Sequence, residues 1–111
     1  PRVVGPQRAR ELFYTARTVS AEDARVLGIA LEVHAPDALL PRALRMAKQM
    51  AQASPVAFRL TKQISARAMD CDSDTILDLE AQAQAVCLTS EYHLDAISRF
   101  AEKKPPRFSF E

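Results

Sequence analysis

Glycine occurs at two positions among 111 residues, Gly5 and Gly28, whereas proline occurs at seven. A chain with so few left-handed turn residues has little means of making tight hairpins, so helices separated by capped stops should dominate. Gly5-Pro6 opens the first segment, and Pro6 suits a first helical position, where a missing N–H costs nothing. The helix should run through residues 7–16, with Ala9, Leu12, Phe13 and Ala16 as its apolar stripe. Ser20 with Asp23 three residues on resembles a capping box, and Gly28 supplies a left-handed C-cap, which predicts a short helix over about 21–27.

The stretch IALEVHA alternates, with Ile29, Leu31 and Val33 on one side and Glu32 and His34 on the other. It reads as strand-like or extended, and is too short to make a sheet alone. A third helix should start at Asp37 or Leu40 with Pro41 in its first turn, its apolar face formed by Leu40, Leu44, Ala47, Met50 and Ala51. Ser54-Pro55 is an N-cap followed by a natural first residue, and predicts a fourth helix with Ala57, Leu60, Ile64 and Ala68 on one face. The acidic break DCDSD favours the N-terminus of a fifth helix over about 75–88, with Ile76, Leu79, Ala83 and Val86 inward. Ser90 caps a sixth carrying Leu94, Ile97, Phe100 and Ala101, and Pro105-Pro106 stops it. Five or six amphipathic helices in so short a chain leave apolar faces to spare, which suggests oligomerisation or a missing half of the same protein.

Composition narrows the partners. The chain is 48% hydrophobic and 26% charged, too apolar for a disordered tail, and its net charge of +1 creates no global field toward nucleic acid or membrane. Cys71 and Cys87 read as two reduced thiols of a cytoplasmic protein. With His34 and His93 they do not reach the ligand count and spacing of a zinc site, so no metal is expected. No apolar run reaches the roughly 20 residues of a membrane span. The first residue is Pro1 rather than Met, which reads as a terminus made by processing or truncation.

Residues able to do acid–base work are scattered. His34 and His93 lack a nameable orienting partner and read as surface or capping residues. Glu11 and Glu80 are the least decorative carboxylates, yet a solvated face explains each. Two glycines leave no room for a Gly-rich phosphate loop. What stands out is the end of the chain, RFAEKKPPRFSFE, where Phe100 is followed by Lys103, Lys104 and Arg107. Cations there complement the helix dipole. They also fit a phosphorylated ligand whose ring an aromatic covers. RNA would suit the same chemistry, but stacking platforms and broad basic grooves are absent, so nucleic acid is not the expected partner.

Three stretches in order carry a resemblance: PRVVGPQRARELFYTARTVSAEDARVLGIALEV, then LLPRALRMAKQMAQASPVAFRLTKQ, then SEYHLDAISRFAEKKPPRF. They resemble the C-terminal part of the crotonase family, the enoyl-CoA hydratase/isomerase superfamily, and the EKKPPRF ending looks most like methylglutaconyl-CoA hydratases. The resemblance implies a mainly α chain: the C-terminal helical segment of the ClpP/crotonase-like fold, lacking the N-terminal β/α spiral core. Residues 1–35 would end that core, and about 36–111 would form a helical trimerisation region. It also implies that the oxyanion hole and acid/base glutamates lie before Pro1, so no catalytic residue is expected here and the chain alone should be inactive.

What the resemblance does imply for this chain is binding and assembly. Phe100 and Lys103 would touch the adenine and phosphate end of coenzyme A in a neighbouring subunit. The substrate would be an acyl-CoA thioester with no covalently bound cofactor, and the chain's partner would be itself, as a trimer or dimer of trimers. Lys104 stands where the family often has arginine, which weakens any bidentate phosphate contact there. Lys62 matches a recurrent family lysine. Two alternatives stay open: a stand-alone helical interaction module, and an RNA-binding fragment of a methylglutaconyl-CoA hydratase-like protein using Lys103, Lys104 and Arg107.

Overall fold

A computed structural model describes residues 1–109 as six α-helices and no strand. They fall in two compact units, residues 1–43 and 44–111. The first unit holds α1 (Gly5–Thr15), α2 (Ala21–Val26) and the start of α3 (Pro36–Met50). The second holds the rest of α3, α4 (Pro55–Arg67), α5 (Ser73–Leu88) and α6 (Glu91–Ala101).

Capping chemistry sets most of these boundaries. The Ser20 Oγ accepts the Asp23 N–H at 3.0 Å and opens α2. Gly28, at φ +74°, closes it. Its N–H donates to the Arg25 carbonyl at 3.0 Å and that of Ile29 to the Ala24 carbonyl at 2.8 Å, the paired bonds of a Schellman motif. Ser54 and Ser90 accept the N–H groups of Ala57 and His93 and open α4 and α6. Helix α5 begins earlier than the acidic break suggested. Asp72 is its N-cap and takes the Thr75 N–H at 2.8 Å, which holds its carboxyl below the usual range. Pro41 lies inside α3 rather than in its first turn, because the helix already starts at Pro36.

The stretch 29–35 is not a strand. No ladder partner exists for it among the described residues, though its residues do alternate in exposure. Ile29, Leu31 and Val33 are exposed, while Glu32 and His34 are half-buried. Electrostatics holds the segment instead. The Glu32 carboxylate accepts from Arg42 Nε at 2.7 Å and lies 2.6 Å from His34 Nε2. The Arg42 bond, and then the His34 bond, hold its pKa at about 2.

In the second unit α4 packs on α5, and α5 on α6. Leu60, Ile64, Leu79 and Ala83 meet in that seam and are half-buried. Among the described residues only Ala9 is fully buried, at 4% exposure. The stripes of α3 and α6 are uncovered, with Leu44, Leu94 and Ile97 each about half exposed or more.

Candidate ligand site at the end of α6

Helix α6 ends in a second Schellman turn. Glu102 is the C-cap, the Lys103 N–H donates to the Phe100 carbonyl at 3.1 Å, and the Lys104 N–H donates to that of Arg99 at 2.8 Å. Glycine is the usual residue at the left-handed position of such a turn. Here it is Lys103, at φ +55°. A side chain in that conformation is strained by about 1–2 kcal/mol relative to the right-handed one. A strained position of this kind is a pointer to function.

Beyond the turn, the chain folds back along α6. The Arg99 Nε donates to the Pro105 carbonyl at 3.1 Å. The Arg107 guanidinium grips Asp95 with both ends: Nε lies 2.8 Å from Oδ2, and Nη2 lies 3.1 Å from Oδ1. The result is a concavity of about 380 Å³ between α6 and the tail, lined by Phe100, Arg99, Lys104, Pro106 and Phe108 among others. Phe100 is 86% exposed, a ring open to solvent.

The tail cations differ in availability. Arg107 is paired with Asp95, and Lys104 with Glu102. Lys103 has no carboxylate partner among the described residues. Phe100 and Lys103, the two residues expected to hold a ligand, are thus on one turn, the first as an open ring and the second as an uncommitted cation. Phe110, the last aromatic of the tail, lies outside the described residues. What sequence reasoning missed is Asp95, twelve residues before Arg107. The acidic residue on α6 gave no sign of a partner across a double proline.

Three carboxylates elsewhere are tied up. Glu11 is held by Arg17 Nε at 2.6 Å and by Arg8, Glu22 by Arg25, and Glu32 by Arg42 and His34. All three are pushed below their ordinary range, chiefly by the hydrogen bond from the arginine. A carboxyl that stays ionised in this way cannot deliver a proton near neutrality. Glu80 lines a shallow cavity with Thr61, Ser65 and Cys87, without a basic partner among the described residues. Lys62 is exposed on α4. Among the described residues no cluster of three His, Cys, Asp or Glu side chains is placed to hold a metal ion. Cys71 and Cys87 are free thiols. No helix among the described residues is long and apolar enough to cross a membrane.

Comparison with known proteins gives a consistent pattern. A family model described as enoyl-CoA hydratase/isomerase matches residues 1–110. A short-chain-enoyl-CoA hydratase of Clostridium acetobutylicum is 36% identical over 93% of this chain and 40% of its own length. The mitochondrial methylglutaconyl-CoA hydratase of Mus musculus is 30% identical over 100% of this chain and 37% of its own. The crystal structure of an enoyl-CoA hydratase/isomerase from Cupriavidus metallidurans superimposes with a TM-score of 0.92 at 41% identity, over 97% of this chain and 41% of that one. The chain therefore spans about two fifths of the length of the relatives it matches.

These findings correct the expectation of a C-terminal helical segment of the crotonase fold. The match begins at residue 1 and runs to 110, against a shared stretch of about 40% of each relative, and it does not sustain that placement. The physical reason is simple. Amphipathic helices with uncovered apolar faces read the same wherever they stand in a longer chain, so helical character carries no position.

Proposed function

From its membership of the enoyl-CoA hydratase/isomerase family, to which the chain belongs over residues 1–110, we propose that it serves an enzyme acting on acyl-CoA thioesters. Its own share of the work is to hold the coenzyme A portion of the substrate and to form contacts between subunits. The observation that carries the reading is the turn at the end of α6. There an open aromatic face, Phe100, and an uncommitted cation, Lys103, are presented together on a strained backbone. An aromatic ring stacks on adenine, and a lysine serves a phosphate as a mobile point charge. The uncovered stripes of α3 and α6 are the faces offered to other subunits.

Chemistry on the thioester needs donors for an enolate oxygen and a carboxyl able to move a proton. Glu11, Glu22 and Glu32 are held ionised by arginines, so they do not serve as proton donors. Two free cysteines fit a reducing compartment such as the cytoplasm.

The test is Lys103→Gly in the intact protein, with coenzyme A binding followed by calorimetry. Glycine relaxes the turn, so a folding defect does not confuse the result. Loss of one phosphate contact should weaken binding by about tenfold, on the scale of a charge-assisted hydrogen bond. Unchanged affinity removes Lys103 from the site, and Phe100→Ala then decides whether the ring acts alone.

A further inference from the structure

The seam between α4 and α5 opens on one flank into a groove of about 600 Å³. Leu60, Ile64 and Arg67 line it from α4, and Leu79, Ala83 and Val86 from α5. Each set stands at i, i+4 and i+7, the spacing of one helical face. The short connection between the two helices makes them antiparallel neighbours. Arg67 and Leu79 therefore mark the end of the groove near the turn, and Leu60 and Val86 the other. From Leu60 to Arg67 it runs about 10 Å, at about 1.5 Å per residue. Arg67 is the one charged residue on its wall, and it has no carboxylate partner among the described residues. The groove is thus an apolar trough with an unspent cation at one end.

We infer that this groove takes helix α6 of a second copy of the chain, with that copy's Glu91 against Arg67. This rests on the reading of α6 as a face offered to other subunits. Glu91 also lacks an ion-pair partner among the described residues. Leu94 and Ile97, both uncovered, follow it at i+3 and i+6, so carboxylate and stripe together span about 9 Å, close to the length of the groove. In this register α6 runs antiparallel to α4, and its positive N-terminal end lies at the negative C-terminal end of α4. Phe100 then falls beyond the groove and stays open to a ligand. The pair cannot form within one copy. Glu91 lines a cavity with Pro55 and Val56 at the first turn of α4, whereas Arg67 is the last residue of that helix, about 18 Å along it. The occupant is a second copy because this chain itself carries the apolar stripe and the carboxylate that the trough and its cation lack, at the matching spacing.

The experiment is sedimentation velocity of the intact protein across a range of concentrations, with Arg67→Glu, Glu91→Lys and the double variant. Both side chains are exposed, so the fold tolerates the changes. Each single reversal sets like charges against each other and should weaken self-association about tenfold. The double variant restores an opposite pair across the interface and should return to within about threefold of wild type. Losses that add in the double variant, or singles that associate as wild type does, overturn the groove assignment and hand the groove to another occupant. Ile97→Asp places a charge on the stripe and should weaken association by more than either reversal; association unchanged by it removes α6 from the interface. Wild-type protein that stays monomeric at every concentration instead refutes the subunit contacts on which the inference rests.

Discussion

Two residues other than glycine take a glycine-like conformation where this chain turns. Ala16, at φ +46°, closes α1, and Lys103, at φ +55°, closes α6, where Gly28 does the same for α2 at no steric cost. The difference gives a clean prediction. Lys103→Gly should raise the melting temperature or leave it unchanged while coenzyme A binding falls. A drop in both would mean that the lysine is structural. The Glu32 carboxylate makes a second case at this scale. Its folded pKa is about 2 against an ordinary 4.5, so the groups facing it, Arg42 and His34, stabilise the ionised form. That contribution is fully present above about pH 4.5 and drains away as pH falls through 2. Glu32→Gln should lower the melting temperature by a few degrees at pH 7 and lose its effect at pH 2, followed by thermal unfolding across that range. A constant difference at every pH would mean that packing, not charge, ties the 29–35 segment to α3.

At the level of elements, the caps were the most readable part of the sequence. Ser20, Ser54, Ser90 and Gly28 each stand where a helix begins or ends, because each works through atoms three or four positions away. The start of α5 was blurred because DCDSD offers several carboxylates able to cap, and one geometry had to win. The IALEVHA alternation misled for a different reason. Period two gives a segment two sides, but a strand also needs a ladder partner from elsewhere, and none is provided among the described residues. Phe100 and Lys103 were named from the family resemblance, but a lysine in a glycine conformation and an ion pair across two prolines leave no local signature in the sequence. Ser90 shows how much one cap can carry. Its Oγ accepts the His93 N–H at 3.3 Å and donates to the Cys87 carbonyl at 2.6 Å, so it joins the end of α5 to the start of α6. Ser90→Ala should cost about 1 kcal/mol in urea unfolding and speed hydrogen exchange at the first amides of α6. A loss confined to global stability, with no local exchange change, would assign the effect to the α5 carbonyl instead.

For the whole molecule, surface area is the deciding quantity. The chain exposes 8942 Å². Compact bodies the size of its two units would together expose only about 7,300 Å², even if they never touched. The surplus, about 1,600 Å², is about twice what one partner contributes to a standard protein interface. Uncovered Leu44, Leu94 and Ile97 show that much of it is apolar, and a single buried alanine cannot supply a core in its place. Covering the stripes of α3 and α6 should therefore stabilise the chain. Residues 1–111 prepared alone should therefore self-associate at tens of micromolar, and dilution should bring dye-binding apolar surface and a broad, non-cooperative melt. Sedimentation velocity over a hundredfold concentration range, with dye fluorescence on the same samples, reads both. A monomer that melts sharply at every concentration would mean that the apolar faces close on one another within a single copy, and the proposed subunit contacts through α3 and α6 would have to be abandoned.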